Sequence, residues 1–355
     1  MYTQTTLHDV FMYVACSLAG LRRIAPPSER GAPIVRVISV PSFGSPDVLR
    51  VEERPVPELS PSEVLVEVKA AGVNLMDSSM RRGLMEGVEP PVSLGVDGAG
   101  VVIAVGADST VRIGDRVAWQ FVLGSYADMV AVPHQRLVPI PDDVTFEAAA
   151  GGLMQGLTAQ HLSHDAVPVP SGTVALVHSA ASGVGRMLTQ LITARGARVI
   201  ATVSRAHKAR SAAEAGAWKV LVRDETEDLG AAIRELTNGE GVDFAFDGTG
   251  RSLFDVSVSS LRHRGVFVHY GRAGGAIPPL DLWEQPDGVR LVHVRGDAPH
   301  ESTDQWRRRA SQVMQWISDG TLDVLIDRTY PLKDAAQAHR DLESQETVGK
   351  LLLIP

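Results

Sequence analysis

Cysteine is almost absent from this chain, and its absence removes two kinds of structure. The 355 residues include one cysteine, Cys16, so neither a disulfide within the chain nor a four-cysteine zinc site can form. Such sparing use of cysteine is typical of a reducing compartment. We therefore expect a cytoplasmic protein.

Dense positive charge and long apolar runs are also missing. The net charge is −8 and no block of Lys and Arg stands out, which argues against a nucleic-acid partner. No apolar run reaches the roughly 20 residues that cross a bilayer. What the chain has is an apolar fraction of 44% and a length typical of about two domains. These features favour a globular protein that acts on a small molecule.

The first 33 residues differ in composition from the rest of the chain. The apolar stretch 10–20 lacks the preceding positive charges of a secretory signal, and residues 22–33 have the composition of a linker. We expect residues 1–33 to be an N-terminal extension outside the fold.

Two regions with different periodicity follow. Short alternating strand patterns separated by Gly, Pro and Asp turns continue to about residue 150 and predict a compact, barrel-like β domain. Beyond it, helical segments alternate with apolar strand patterns at 198–203, 219–221, 242–247, 265–271 and 290–295. Such alternation predicts a parallel sheet with helices on both faces. Two helices near 303–319 and 333–343 and a strand at 349–355 are predicted to close the chain.

The segment 173–203 carries the clearest motif, because it predicts a strand, a tight turn, a helix and a second strand. The turn consists of small residues, which are Ala180, Ala181, Ser182, Gly183, Val184 and Gly185. Backbone N–H groups at the start of the helix can hold a diphosphate. Gly183 would let the backbone approach the phosphates, and Gly185 would let the helix pack against the strand. The first glycine of the usual fingerprint is missing, so the strand–helix–strand context carries the prediction of a nicotinamide dinucleotide.

The end of the predicted second strand indicates which dinucleotide binds. Enzymes that use NAD usually have an acidic residue there, which holds the ribose 2′-hydroxyl. This chain instead has Ser204, Arg205 and Lys208, whose hydroxyl and positive charges suit a 2′-phosphate. We therefore predict NADP(H). The alternative for Arg205 and Lys208 is a solvated helix start.

Several stretches, in the right order, resemble the medium-chain dehydrogenase/reductase superfamily and, within it, the zinc-free quinone oxidoreductase branch, which is zeta-crystallin-like. Besides the dinucleotide turn they are 71–77, 94–102, 114–117, 155–159, 246–250 and 348–353. The resemblance implies an α/β fold with a GroES-like β-barrel catalytic domain and a Rossmann doubly wound parallel sheet domain. Residues 34–154 and 299–355 would form the first domain, and residues 155–298 the second.

The ligands of the catalytic zinc in related dehydrogenases are missing. Zinc-dependent relatives carry a cysteine and a histidine where this chain has Asn74 and Val96, which cannot bind tetrahedral zinc. The resemblance therefore implies no metal and a hydride transfer to an activated acceptor, a quinone or an α,β-unsaturated carbonyl.

The resemblance also implies which residues contact the cofactor. To the turn residues and the three residues after the second strand it adds Asn74, Thr158, Arg223, Gly248, Tyr270, Gly271 and Lys350. Hydride addition builds negative charge on the acceptor oxygen, so hydrogen-bond donors are needed there. Asn74 and Tyr126 are our candidate catalytic donors, and the alternative for Asn74 is a turn residue bonded to local backbone. Ser79 stands where some enoyl-thioester reductases have a tyrosine that is the proposed proton donor.

Three functions stay open at this point. The first is an NADPH-dependent quinone or enone reductase. The second is a reductase of enoyl thioesters or of a biosynthetic intermediate, in which Arg81 and Arg82 would hold a carrier phosphate; the alternative for this pair is two solvated charges. The third is a non-catalytic NADPH-binding protein. Relatives are commonly homodimers that pair an edge strand, so we expect a homodimer through residues 290–295.

Overall fold

The computed structural model describes residues 33–280, 283, 288–295 and 301–355. The extension expected at residues 1–33 lies, except for Pro33, outside the described residues. Within the described ranges no helix is long and apolar enough to cross a membrane.

The chain forms two compact units. The first, which we call the β domain, runs to Met154 and includes Pro299–Ser318 and Ile326–Pro355. The second, the parallel-sheet domain, is Gln155–Ala298 with Asp319–Leu325. Residues 319–325 were expected in the β domain. They lie in the other unit because Arg186 donates to the backbone carbonyl of Asp323 and to its carboxylate, the latter at 2.6 Å.

The described residues of both domains form strands and helices. The strands are β1 (Ile34–Val40), β2 (Arg50–Pro55), β3 (Glu63–Val73), β4 (Val92–Ser93), β5 (Asp97–Val105), β6 (Arg116–Gln120), β7 (Met129–Pro133), β8 (Leu137–Pro139), β9 (Val174–Val177), β10 (Arg198–Val203), β11 (Lys219–Val222), β12 (Val242–Asp247), β13 (Leu261–His269), β14 (Arg290–His293), β15 (Ile326–Pro331) and β16 (Lys350–Ile354). The helices are α1 (Leu75–Arg81), α2 (Phe146–Gln160), α3 (Gly183–Ala194), α4 (Ala209–Glu214), α5 (Leu229–Leu236), α6 (Phe254–Ser259), α7 (Thr303–Ser318) and α8 (Ala335–Glu343).

The β domain is built around the long strand β3. One sheet has the order β15-β16-β3-β5-β6-β8, with β7 also paired to β3, and a smaller sheet has the order β2-β1-β4. Val64, Val66 and Val68 alternate along β3 and are buried, as expected of a strand with one face on a core. The strands confirm the predicted β domain, and the closing strand β16 pairs with β3 in its larger sheet.

The second domain is a six-stranded parallel sheet in the order β11-β10-β9-β12-β13-β14. Numbered by their order in the chain, these strands lie 3-2-1-4-5-6, which is the doubly wound Rossmann order. All four residues of β9 are buried, as expected of a central parallel strand with helices on both faces. The predicted fold class is confirmed.

This topology places the predicted cofactor residues of the parallel-sheet domain along one edge of the sheet. In a parallel sheet all carboxyl ends meet at the same edge. Ser182 follows β9, Ser204 follows β10, Arg223 follows β11, Gly248 follows β12 and Tyr270 follows β13.

Candidate functional site

The turn between β9 and α3 has the geometry of an anion site. Ser182 caps the helix, and its hydroxyl accepts a hydrogen bond from the backbone N–H of Gly185 at 3.2 Å. A Cβ on Gly185 would lie 2.3 Å from the carbonyl oxygen of Ser179, so only glycine fits. The first turn of a helix leaves N–H groups without a partner in the helix, and these favour a bound anion. The residues present therefore fit the diphosphate of a dinucleotide.

The loop after β10 holds both of the predicted positive charges. Lys208 is buried, with 8% of its surface exposed. Arg205 is more exposed, and its guanidinium forms an ion pair with the carboxylate of Asp224. Sequence reasoning missed Asp224 because it follows β11, which lies beside β10 in the sheet but comes later in the chain. A carboxylate thus reaches this site from the neighbouring strand.

An open depression of about 730 Å³ adjoins these residues. Arg223 and Asp224 line one part of it, and the apolar side chains of Leu229 and Leu253 line another. A depression lined by both charged and apolar side chains suits a ligand that has an anionic group and an apolar face.

The loops after β12 and β13 touch each other. A Cβ on Gly248 would lie 2.6 Å from the ring of Tyr270, and a Cβ on Gly271 would lie 2.6 Å from the carbonyl oxygen of Gly248. Asp247 fixes the first of these loops, because its Oδ1 accepts hydrogen bonds from the backbone N–H groups of Thr249 at 2.6 Å and Gly250 at 2.9 Å. The structure thus brings together the predicted residues Gly248, Tyr270 and Gly271.

Asn74, the predicted catalytic residue in the β domain, lies in a buried cluster of charges. Its amide nitrogen donates to Asp97 Oδ1 at 2.8 Å, to Asp77 Oδ2 at 3.2 Å and to the Gly72 carbonyl at 3.2 Å. Its Oδ1 accepts from the Lys350 ammonium at 2.5 Å, and that ammonium is 3.3 Å from Asp97 Oδ2. Asn74 precedes α1 and its backbone N–H donates to Asp77, as in the local turn of the alternative, and its side chain also bonds to Asp97 and Lys350, which are distant in the chain.

Tyr126, the second predicted catalytic residue, points into the interior of the same domain. It is fully buried, and its hydroxyl donates to Asp77 Oδ2 at 3.0 Å and lies 3.4 Å from His339 Nε2. Burial, followed by the charge of Asp97, raises the pKa of Asp77 to about 7. Burial lowers the pKa of His339 to about 3. A catalytic role for Tyr126 stays a prediction, and the burial of its hydroxyl weighs against direct contact with a substrate.

Four other positions that the sequence singled out can be placed within their own domains. Thr158 lies near the end of α2 and is half-buried. Ser79 is on α1, and its hydroxyl donates to the carbonyl of Leu75 at 2.9 Å. Arg81 corrects the expectation of a solvated charge, because it is 1% exposed and forms an ion pair with Glu343, which comes 262 residues later. Because the two residues are so far apart in the chain, nothing in the local sequence indicated this ion pair. Arg82 is exposed, as a solvated charge would be.

At the two positions where zinc-dependent relatives carry ligands, this chain has side chains that make other contacts. Val96 is 4% exposed and packs in the core of the β domain. Among the described residues, no group of three or more His, Cys, Asp or Glu side chains is arranged to hold a metal ion. Whether the reaction needs a metal stays a prediction.

Two family models match the chain, one within the predicted β domain and one that covers most of the predicted parallel-sheet domain and continues to residue 315. Residues 60–142 match the model described as an alcohol dehydrogenase GroES-like domain. Residues 183–315 match the model described as a zinc-binding dehydrogenase.

Curated proteins and solved structures match over nearly the whole chain. Quinone oxidoreductase 1 of Escherichia coli is 34% identical over 318 residues, which cover 88% of this chain and 97% of that protein. The 2-haloacrylate reductase of a Burkholderia species is 31% identical over 328 residues, covering 88% of this chain and 96% of that protein. The crystal structure of Escherichia coli quinone oxidoreductase complexed with NADPH has a TM-score of 0.86 at 32% identity, covering 90% of this chain and 100% of that one.

Proposed function

The chain belongs to the zeta-crystallin-like quinone oxidoreductase branch of the medium-chain dehydrogenase/reductase superfamily, and from that premise we propose that it reduces a quinone or an α,β-unsaturated carbonyl with NADPH, without a metal. The observation that carries the proposal is the turn from Ser182 to Gly185, which fits a diphosphate. The NADPH complex of the Escherichia coli relative supports the choice of ligand.

The preference for NADPH over NADH rests on the loop after β10. Ser204, Lys208 and Arg223 supply a hydroxyl and two positive charges near the end of this strand and its neighbour. A 2′-phosphate would be attracted by these charges. The guanidinium of Arg205 pairs with Asp224 in this structure and adds a third positive charge to this group of residues.

The protein's own contribution to the reaction is binding, orientation and electrostatics. When bound, NADPH supplies the hydride. The residues of the turn would fix the diphosphate, and Gly248, Tyr270 and Gly271 would line the nicotinamide half. A donor near the acceptor oxygen would stabilise its developing negative charge. Asn74 is our first candidate, and one of its two N–H groups, which donate to Asp97, Asp77 and Gly72 in this structure, would have to turn to that oxygen.

The coenzyme preference is tested by reversing the charge of one residue. We expect Lys208→Glu to raise the KM for NADPH about tenfold or more and to change the KM for NADH little, because only NADPH carries the 2′-phosphate. Arg210→Glu is the matched control, since Arg210 is an exposed cation two residues away whose partner is Glu214. Equal effects of Lys208→Glu on the two coenzymes would contradict the proposal.

A substrate panel separates the three possible functions. NADPH loss is followed by absorbance with benzoquinone, an alkyl enone and crotonyl-CoA. We expect turnover of the first two, and the 2-haloacrylate reductase relative supports an activated alkene as acceptor. Turnover of crotonyl-CoA alone would favour an enoyl-thioester reductase. Tight NADPH binding with no turnover would favour a non-catalytic protein.

We also propose a homodimer through β14. This strand ends the sheet, with β13 as its neighbour on one side, and Leu291 on it is 37% exposed. An uncovered edge strand offers backbone groups to a second strand. Light scattering at micromolar concentration should report a dimer, and Leu291→Lys should shift it towards monomer. A monomeric wild-type protein would exclude this arrangement.

A further inference from the structure

Polar side chains cross the centre of the parallel sheet at its carboxyl edge, inside an otherwise apolar interior. Thr202 is near the end of β10, His178 directly follows β9, and Asp247 is the last residue of β12. These three strands are neighbours in the sheet. All three residues are fully buried. A buried polar group is costly unless it is hydrogen-bonded, so their arrangement needs a reason.

Hydrogen bonds join these residues into one chain. His178 Nδ1 lies 2.8 Å from the Thr202 hydroxyl, and His178 Nε2 lies 3.0 Å from the hydroxyl of Ser257 on α6. The Ser257 hydroxyl in turn lies 3.3 Å from Asp247 Oδ2 and 2.8 Å from the carbonyl oxygen of Leu253, so its one proton is shared between these two acceptors. Burial, helped by the charge of Arg223, lowers the pKa of His178 to about 3, so the ring stays neutral. A neutral imidazole has one donor and one acceptor, and both are used here.

Each member of this chain stands next to a loop that carries predicted cofactor residues. His178 precedes the diphosphate turn, and Thr202 precedes Ser204 by two residues. Asp247 holds the loop that begins at Gly248 through its bonds to two backbone N–H groups. The hydrogen-bonded chain therefore links the loops after β10, β9 and β12.

We propose that His178 is a positioning residue that holds these three loops at the spacing one NADPH molecule requires. Because His178 is fully buried, it acts through Thr202 on one side and Ser257 on the other. The inference rests on the proposed NADPH binding. Loops that already have the bound arrangement in the free protein strengthen binding, because less conformational entropy is lost when the ligand binds.

Two ligands of different length distinguish this role from a general contribution to stability. The compound 2′,5′-ADP contains adenosine, the 2′-phosphate and a 5′-phosphate. It would therefore span the loops after β10 and β9. NADPH extends further, to the loop after β12. Breaking the link to β12 should therefore weaken NADPH alone, and breaking the link to β10 should weaken both ligands.

The test measures dissociation constants of both ligands by calorimetry for the wild type and three variants. Ser257→Ala is expected to weaken NADPH by about tenfold, equivalent to about 1.4 kcal/mol, and 2′,5′-ADP by less than about threefold. Thr202→Val should weaken both ligands by a similar factor. His178→Phe should combine the two effects. If His178→Phe does not fold, the other two variants decide the question.

Asp243→Ala provides the matched control. Asp243 lies on β12, four residues before Asp247, and its carboxylate accepts the backbone N–H of Val174 at 2.7 Å near the opposite edge of the sheet. This variant should lower the melting temperature and leave both dissociation constants unchanged. The inference is overturned if Ser257→Ala weakens both ligands equally or neither. A wild type that binds neither 2′,5′-ADP nor NADPH would instead overturn the proposed function, and with it the premise of the inference.

Discussion

A buried polar cluster in the β domain and another in the parallel-sheet domain are built differently. In the β-domain cluster Asp97 and Lys350 form an ion pair with side chains 1% and 4% exposed, and Asp77 lies beside them. In the parallel-sheet domain the centre of the buried chain is the neutral His178, which is held by two hydroxyl groups.

The two clusters should differ in how much a substitution in them lowers the free energy of unfolding. Removing one partner of a buried ion pair leaves an uncompensated charge and costs about 3–5 kcal/mol. Removing one partner of a neutral hydrogen bond leaves a polar group unsatisfied and costs about 1–3 kcal/mol. Breaking the charged cluster should therefore lower the free energy of unfolding more than breaking the hydrogen-bonded chain around His178 does.

The largest expected effect comes from removing the buried ammonium. Lys350→Met should lower the free energy of unfolding of the β domain by about 3–5 kcal/mol, because Asp97 loses its positive partner. Urea denaturation followed by circular dichroism measures this, with Ser257→Ala as the comparison. A loss no larger than that of Ser257→Ala would break the distinction between the two clusters.

Crowding the same cluster should have the next largest effect. A Cβ on Gly72 would lie 2.6 Å from both carboxylate oxygens of Asp97 and 2.7 Å from Lys350 Nζ. Gly72→Ala should therefore cost about 1–3 kcal/mol of unfolding free energy. Gly230→Ala is the control, since its Cβ would meet no atom closer than 3.5 Å. Equal stabilities of the two variants would show that the cluster tolerates displacement.

Two buried groups, Asp77 and His178, should contribute to the pH dependence of stability with opposite signs. The pKa of Asp77 is raised from 3.8 to about 7, so the folded state keeps a proton that the unfolded chain loses, and this contribution to stability is lost as pH rises towards 7. The pKa of His178 is lowered from 6.5 to about 3, so its contribution is lost as pH falls from 6.5 towards 3.

Melting temperatures between pH 4 and pH 8 test these signs. Asp77→Asn should remove the part of the slope in which stability falls with rising pH, and His178→Phe should remove part of the opposite slope. Each change should be on the order of 1 kcal/mol. An Asp77→Asn variant with the wild-type slope would mean that this carboxyl does not titrate in the folded protein.

The smallest effect is expected at an exposed ion pair of the β domain. Lys69 lies 2.6 Å from Glu67, with both side chains more than a third exposed. Lys69→Met should change the free energy of unfolding by less than about 1 kcal/mol, because water screens exposed pairs. A loss close to that of Lys350→Met would show that burial is not what separates these two lysines.

The sequence predicted the features that depend on neighbours in the chain. The turn from Ser182 to Gly185 and the strands on either side are contiguous, so their periodicity and residue types indicated both the fold and the ligand. The Rossmann fold of the six-stranded sheet was implied by the family resemblance.

Features that depend on distant residues were missed or wrong. Asp224 reaches Arg205 from the next strand, and Arg81 is buried against Glu343 although two adjacent arginines suggested a solvated surface. The partners of Asn74 come from β5 and β16, far apart in the chain. Nothing in local pattern specifies such pairings, because they arise only when the strands are assembled.

Binding of NADPH at the turn between β9 and α3 is the central claim, and calorimetric titration of the wild type and Gly185→Ala tests it most directly. We expect the wild type to bind NADPH at least about tenfold more tightly than NADH. Gly185→Ala should lose both ligands, because its Cβ would lie 2.3 Å from the carbonyl oxygen of Ser179 and displace the turn. A wild type that binds neither coenzyme, or a folded Gly185→Ala variant that binds NADPH as tightly as the wild type, would contradict the claim.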